Sequence, residues 1–331
     1  MAFKICNVGC GGLSNRAHGP SFRHYADTHD DIFLAACCDV DGARANAYRE
    51  TFGFEHAYTD FREMLTKEQP DAVCLMAPVS LTCELSCAIM EMGYPLLMEK
   101  PPGLDGEECR RMVAAAESSG VPNQVSFNRR YAPLVCELKT RLAAFESGAI
   151  QNVRYDFFRI NRRDADFSTT AIHGIDTTKH IVGSDYTRIR FRYQELPDLG
   201  PTTANIYLDC EFACGATAHV NFCPITGVLI ERATVCLHDH TFFLNIPIWG
   251  AYDSPGRLTH IVKGETVEDV AGDEVCDAEC MYIASGFYGE NAAFFDDLRA
   301  GRRPAGDVKS GLQSVEIADC MRHRLPEYVR A

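Results

Sequence analysis

A glycine-rich turn, Gly9-Cys10-Gly11-Gly12-Leu13-Ser14, directly follows the apolar run Phe3–Val8 and precedes a helical stretch. Glycines at such a junction allow a tight turn and a close approach of backbone to ligand. The helix N-terminus beyond adds free amides and partial positive charge, which suit a diphosphate. The pattern alone is common, but its context sharpens it. A second apolar run, residues 33–38, ends in Asp39. A carboxylate at that point accepts hydrogen bonds from both hydroxyls of an adenine ribose and repels a 2′-phosphate. Asp41 adds to that repulsion, and Arg44, the one nearby cation, is expected to face solvent from its helix. The expectation is a dinucleotide on Gly9, Gly11, Gly12, Leu13, Ser14, Asp39, Val40 and Arg44, with NAD preferred to NADP.

The rest of the first third keeps the same rhythm. Apolar runs at 72–76, 96–98 and 123–126 alternate with helical patterns at 41–51, 61–65, 81–91 and 106–118. Strands alternating with helices of this kind imply βαβ units and a doubly wound parallel sheet. After about residue 130 the order changes. A helix at 134–146, a strand at 153–160 and a helix at 170–182 lead into strand-like runs at 188–193, 204–212, 217–222, 232–237 and 241–246. Consecutive strands without helices between them predict an antiparallel sheet. The expected fold class is α/β, with a Rossmann domain over 1–126 and an α+β domain over 127–331. The last two helical patterns, 289–298 and 308–322, are free to pack on either domain.

Composition excludes several function classes. The 331 residues carry a formal net charge of −14, which argues against coating nucleic acid or an anionic membrane surface. No apolar run approaches the roughly 20 residues of a membrane span. The first residues show neither a basic leader nor a cleavable apolar stretch, so the expected location is the cytoplasm. The sixteen cysteines include no Cys-x-x-Cys pair and recur as Cys-x-x-x-Cys, for example Cys83/Cys87 and Cys276/Cys280. They read as small buried hydrophobes in a reducing compartment rather than as zinc ligands.

Two further motifs carry chemistry. Glu99-Lys100-Pro101-Pro102 closes the fourth apolar run, and ligands of open α/β sheets bind at such carboxyl ends of strands. A partly desolvated lysine there can hydrogen-bond a reacting hydroxyl, although a surface lysine after a strand is also common. In the segment 173–180, His173, Asp176 and His180 fall three and four apart and share one helix face. A histidine there can remove a hydroxyl proton while Asp176 orients it or binds substrate. A solvated polar stripe is the bland alternative, and a metal on these three is disfavoured because no ligand from another segment stands out. His238-Asp239-His240 reads as a turn between strands, and His18 either faces the glycine loop or is structural.

These pieces, in this order, resemble the glucose–fructose oxidoreductase / inositol dehydrogenase (Gfo/Idh/MocA) family over nearly the whole chain. The resemblance is carried by the 8–14 loop, Cys38-Asp39-Val40-Asp41, Ala57-Tyr58-Thr59-Asp60-Phe61, Pro70-Asp71-Ala72-Val73, Ala77-Pro78, Glu99-Lys100-Pro101 and Phe127-Asn128-Arg129-Arg130-Tyr131. His173, Asp176 and His180 follow, then residues 294–301. The resemblance implies an open, mainly antiparallel second sheet whose outer face often serves the oligomer contact, hence a homo-oligomer, dimer or tetramer. It implies a catalytic set of Lys100, Asp176 and His180, and a nicotinamide side lined by Ala77, Pro78, Glu99 and Asn128. Two positions depart from the family pattern: Thr82 stands where many members carry histidine, and Ser14 replaces the third glycine.

The mechanism so implied oxidises a secondary hydroxyl of a sugar, cyclitol or related polyol. His180 takes the hydroxyl proton as hydride leaves the same carbon, Lys100 stabilises the developing alkoxide, and Asp176 fixes His180. Substrate contacts are expected from Lys100, Asn161, Arg163, His173, Asp176 and His180, with Arg159, Arg162 and Tyr288 as further candidates. Two rivals stand beside this reading: a redox-neutral enzyme that uses NAD to cleave or epimerise glycosides, and a non-catalytic dinucleotide-binding sensor.

Overall fold

The computed structural model describes residues 2–164 and 166–330. These form two compact units, one of residues 1–127 and 287–315 and the other of residues 128–286 and 316–331.

The first unit is built on β1 (Phe3–Val8), β2 (Ile32–Cys38), β3 (His56–Tyr58), β4 (Ala72–Leu75), β5 (Leu96–Glu99) and β6 (Asn123–Ser126). All pair in parallel, in the order β3-β2-β1-β4-β5-β6. The connections run through α1 (Gly19–Asp27), α2 (Gly42–Phe52), α3 (Phe61–Glu68), α4 (Val79–Glu91) and α5 (Gly106–Ser119). This order reverses direction between β1 and β4, and a sheet of this kind opens a crevice at the carboxyl ends of those two strands. The strands read as near-continuous apolar runs because helices cover both faces of the sheet; β4 and β5, for example, are buried at every position.

Residues 287–315 add α9 (Phe287–Arg299) and the start of α10 (Val308–Arg322), after the single-turn α8 (Met281–Ala284) of the other unit. Phe294 and Phe295 of α9 are fully buried in one core with Ile5, Phe22, Tyr25 and Leu34. The Phe295 ring lies 5.1 Å from that of Tyr25, 6.1 Å from Phe22 and 6.2 Å from Phe3. Tyr25 in turn donates to Asp296 Oδ1 at 2.6 Å.

The second unit opens on α6 (Pro133–Leu142) and carries a nine-stranded sheet. Its strands are β7 (Asn152–Phe158), β8 (Tyr186–Glu195), β9 (Ala204–Phe212), β10 (Thr217–Cys223), β11 (Ile230–Cys236), β12 (His240–Asn245), β13 (Arg257–Val262), β14 (Glu265–Ala271) and β15 (Glu327–Val329). Their order is β14-β13-β12-β11-β7-β10-β9-β8-β15, antiparallel throughout except for the parallel pair β7–β10. That exception follows from the path of the chain. After β7 it crosses through α7 (Ser168–Val182) to β8, and the meander β8-β9-β10 brings it back beside β7 in the same direction. The pair β13–β14 belongs to a stretch from which the sequence reading drew no strand.

Helix α7 seats closely on this sheet at Gly174, where a Cβ would stand 2.7 Å from the Phe222 ring and 3.4 Å from that of Phe157. Its other end stops at Gly183, in the left-handed conformation. All sixteen cysteines are free thiols, with Cys136 the one that is exposed. No helix of the described residues is long and apolar enough to cross a membrane.

If α9 completes the first core, Phe295→Ala removes a ring from it and is expected to cost about 3–5 kcal/mol in urea-induced unfolding. A loss below about 1 kcal/mol, the scale of an ordinary substitution, would contradict that role.

Candidate active site

In the first unit, the turn after β1 is shaped by contacts that only glycine permits. Gly9 has φ +95°, and a Cβ there would stand 2.3 Å from Met76 O. Its amide donates to Cys38 O at 2.8 Å, which ties the turn to the end of β2. Gly11 and Gly12 are different, because a Cβ on either would meet nothing within 4 Å. Ser14 is buried, and its hydroxyl donates to Tyr48 Oη at 2.9 Å. The helical stretch beyond opens on a π-helical turn, Ser14–His18, before α1 begins.

A groove of about 600 Å³ runs along this turn. It is lined by Gly9, Gly11, Gly12, Leu13, Ser14, Asp39, Val40, Arg44, Ala77, Pro78, Glu99 and Lys100, all read from sequence, and also by Phe61, Leu81 and Leu85, which were not. A partial signal for these existed, since Leu81 and Leu85 follow Pro78 at the start of α4. Val40 is 92% exposed and Leu81 46%, so bare apolar surface borders the groove where a planar base can cover it.

Asp39 is buried, and its carboxylate gathers three donors. Cys10 N reaches Oδ2 at 2.9 Å, Asp41 N reaches Oδ1 at 3.0 Å, and Arg44 Nη1 lies 3.2 Å from Oδ1. The expectation that Arg44 faces solvent is therefore corrected: half-exposed, it turns back onto Asp39, with Asp41 3.6 Å away. Asp41 also caps α2, accepting from the amides of Ala43 and Arg44. A carboxylate has about four acceptor positions. The two amides take one on each oxygen, so the remainder, now covered by Arg44, match a vicinal diol. The open backbone at Gly11 and Gly12, the helix N-terminus and this carboxylate together fit a nicotinamide dinucleotide.

Glu99 lies at the end of β5, followed by Lys100, whose bond to Pro101 is cis. Lys100 N donates to Glu99 Oε2 at 3.1 Å. Beneath them His18 is fully buried, with Nε2 2.8 Å from Glu99 Oε1 and Nδ1 3.3 Å from Asn291 Oδ1. His18 therefore holds Glu99 rather than facing the groove. Burial pushes the Glu99 carboxyl up, but the His18 hydrogen bond and charge, with Lys100, bring it below the ordinary carboxylate range. Thr82 is buried with its hydroxyl on Pro78 O and does not line the groove. Asn128 belongs to the second unit, where its buried amide donates to Ser285 O at 2.7 Å.

In the second unit, α7 presents His173, Asp176 and His180. Asp176 is almost wholly buried and is gripped by Arg130, Nε to Oδ2 at 2.8 Å and Nη2 to Oδ1 at 2.5 Å. Sequence reasoning had not given Arg130 a role, although it stands in the Asn128–Tyr131 motif. His173 is buried, with Nε2 3.3 Å from Arg129 Nη1. Because a guanidinium only donates, that nitrogen accepts. His180 is half-buried, and its ring makes no hydrogen bond among the described residues. Burial and the nearby charges of Arg130 and Lys139 hold its pKa down at about 4, against the opposing pull of Asp176. It is therefore a neutral proton acceptor at physiological pH.

The loop after β7 is divided. Arg159, a substrate candidate from sequence, is buried with its guanidinium on Glu231 and stacked on Phe157, so it is withdrawn from that role. Asn161 and Arg163 are exposed and bond to each other at 2.7 Å, and Arg162 pairs with Asp164. Tyr288 belongs to the first unit and stacks on His24. Among the described residues, no group of three His, Cys, Asp or Glu side chains could hold a metal ion.

The account of the turn is testable with two alanines. Gly9→Ala combines a positive φ with a collision on Met76 O and is expected to cost more than about 1 kcal/mol of stability. Gly12→Ala has room and should unfold like the parent protein, while its affinity for NADH, followed by fluorescence titration, falls. Unchanged NADH binding in Gly12→Ala would remove this backbone from the nucleotide site.

Comparison with known proteins agrees with this geometry. Residues 3–127 match the Gfo/Idh/MocA model, an oxidoreductase family with an NAD-binding Rossmann fold. D-apiose dehydrogenase of Paraburkholderia graminis is 34% identical over 133 residues, 40% of this chain and 34% of that protein. Inositol 2-dehydrogenase of Salmonella typhimurium is 22% identical over 328 residues, 96% of this chain and 93% of that protein. The first curated relatives are matched over less than half of their own length. Levoglucosan dehydrogenase, solved in complex with NADH, shares the fold at a TM-score of 0.82 and 17% identity, covering 99% of each chain. Residues 3–127 are thus matched by the glucose–fructose oxidoreductase / inositol dehydrogenase family of oxidoreductases, and the chain is similar to an inositol 2-dehydrogenase over nearly its whole length.

Proposed function

We propose that this protein oxidises a secondary hydroxyl of a sugar, cyclitol or related polyol, with NAD as hydride acceptor. Two observations, one in each unit, support the reading: the first carries a groove lined by the diol-matched Asp39 and by Lys100, and the second carries on α7 a neutral imidazole whose ring makes no hydrogen bond among the described residues. Dehydrogenases of D-apiose, inositol and levoglucosan among its relatives point to the same substrate class. The Asp39 carboxylate at the end of β2, with Asp41 beside Arg44, favours NAD over NADP. The bound nicotinamide supplies a hydride acceptor; the remaining work falls to the chain's own residues.

His180 accepts the hydroxyl proton. With its conjugate acid near 4 it is a weak base, so proton removal must be coupled to loss of the carbinol hydrogen. Lys100 stabilises the alkoxide that develops and so lowers the demand on His180. Asp176 acts with Arg130 as a fixed pair, whose two hydrogen bonds keep its carboxylate aimed. The oligomer, dimer or tetramer, remains part of the proposal, with the open face of the nine-stranded sheet as its contact.

A panel of polyols, sugars and sugar acids, followed by NADH absorbance, is expected to contain a substrate. His180→Ala should then lower kcat by about 10²–10⁴ while NADH affinity is kept. In the parent protein His180 is the free base at every pH above about 4. The His180 limb of kcat/KM should therefore be flat through neutrality and fall only as pH drops through about 4. Full kcat in His180→Ala would take the histidine out of the mechanism, and a limb near 6.5 would contradict its environment.

A further inference from the structure

Arg129 and Arg130 are adjacent in the turn Asn128–Tyr131, yet their guanidinium groups go to different places. Arg130 grips Asp176 with two hydrogen bonds. Arg129 touches α7 one turn earlier, at His173, and spends its other nitrogens elsewhere. Nη1 also donates to Asn128 Oδ1 at 2.9 Å, while Nε and Nη2 donate to Glu231 at 3.3 and 2.9 Å. Glu231 projects from β11 and is 0% exposed. It accepts further hydrogen bonds from Tyr155 Oη at 2.9 Å and from Arg159. Arg159 is anchored to the sheet, through Phe158 O, Ile230 O and the Phe157 ring. Burial would push the Glu231 carboxyl up, but the two arginines hold it down at about 2.

Two buried cations on one buried anion are a poor route to stability, since apolar side chains of similar volume commonly do as well. What the arrangement supplies is direction. A guanidinium is a rigid planar fork, and one engaged at all three nitrogens cannot turn. The backbone from which Arg130 departs is thereby fixed, and so is the place where Arg130 meets Asp176.

We propose that Glu231 is a positioning residue for α7: by locking Arg129 it fixes the turn that holds His173 and Asp176, and so the setting of His180 one helical turn beyond. This rests on the dehydrogenase reading given above for its catalytic consequence, though not for its structural one. The groups that face His180 are Arg130, Asp176 and Lys139. A loosened α7 admits water to them, and the imidazole then returns toward its ordinary pKa.

The test compares Arg129→Lys with Arg159→Lys in the full-length protein. Both keep the positive charge and both touch Glu231, but only Arg129 also reaches α7 directly, at His173. Melting temperature, NADH affinity, kcat and the His180 titration by histidine NMR are measured for each, and for Glu231→Gln where it folds. Both lysine variants are expected to melt earlier with NADH affinity kept. Arg129→Lys, and Glu231→Gln with it, should also lower kcat by about 10- to 100-fold, the scale of a small misplacement. In these two the His180 titration should move up from about 4 by a unit or more. Arg159→Lys should leave both values at those of the parent protein. A His180 titration unmoved in Arg129→Lys, or moved equally in both lysine variants, would overturn the proposal. If no polyol is oxidised by the parent protein, the dehydrogenase reading fails, and the NMR titration still decides the positioning role.

Discussion

The arrangement of the first unit's site depends on one carboxylate. Asp39 stands where β2 ends, and its two oxygens take the amides of Cys10 and Asp41. One bond holds the glycine turn after β1 and the other the entry to α2, so a single side chain joins two neighbouring strand ends at the mouth of the sheet. Without it the Cys10 amide would lose its partner, and a buried amide left unpaired costs about 1–3 kcal/mol. The same carboxylate offers its remaining lone pairs outward. Its structural role thus uses only part of its acceptor capacity, and Arg44 covers the rest.

In the second unit the chemistry is sorted by how completely each polar group is satisfied. Asp176 is committed to Arg130, and His173 contacts Arg129 as a hydrogen-bond acceptor. His180 differs, because its ring has no protein hydrogen bond among the described residues while Lys139 caps the helix carbonyls of His180 and Ile181 behind it. Helix α7 is otherwise packed tightly, with Thr177 and Thr178 returning their hydroxyls to the carbonyls four residues back. A half-buried imidazole whose ring makes no hydrogen bond among the described residues is where a ligand has most to gain.

Much of this was legible in the sequence because it rests on local chemistry. The glycine turn, the carboxylate at the end of β2, the Glu99-Lys100-Pro101 strand end and the three-and-four spacing along α7 each lie within a few residues, and periodicity places them on elements. What escaped the sequence is long-range or conformational. The strand β3 has only three residues, and β13–β14 carries exposed polar positions that blur alternation. The inward turn of Arg44 is a choice of rotamer, which sequence does not encode visibly. Glu231 meets Arg129 across 102 residues of chain, and His18 meets Glu99 across 81, so neither pair leaves a spacing to read. The glutamate in particular sits in an ordinary strand, where a polar residue at an inward position gives no hint of two arginines waiting for it.

The central claim, that the groove along the glycine turn takes a dinucleotide with a free ribose diol on Asp39, is tested most directly by calorimetric titration of the intact protein with NADH and with NADPH under one set of conditions. The Asp39 carboxylate at the ribose position predicts saturable binding of one NADH per chain and at least about tenfold weaker binding of NADPH, a difference of about 1.4 kcal/mol. Equal affinity for the two, a preference for NADPH, or no binding of either would contradict the account.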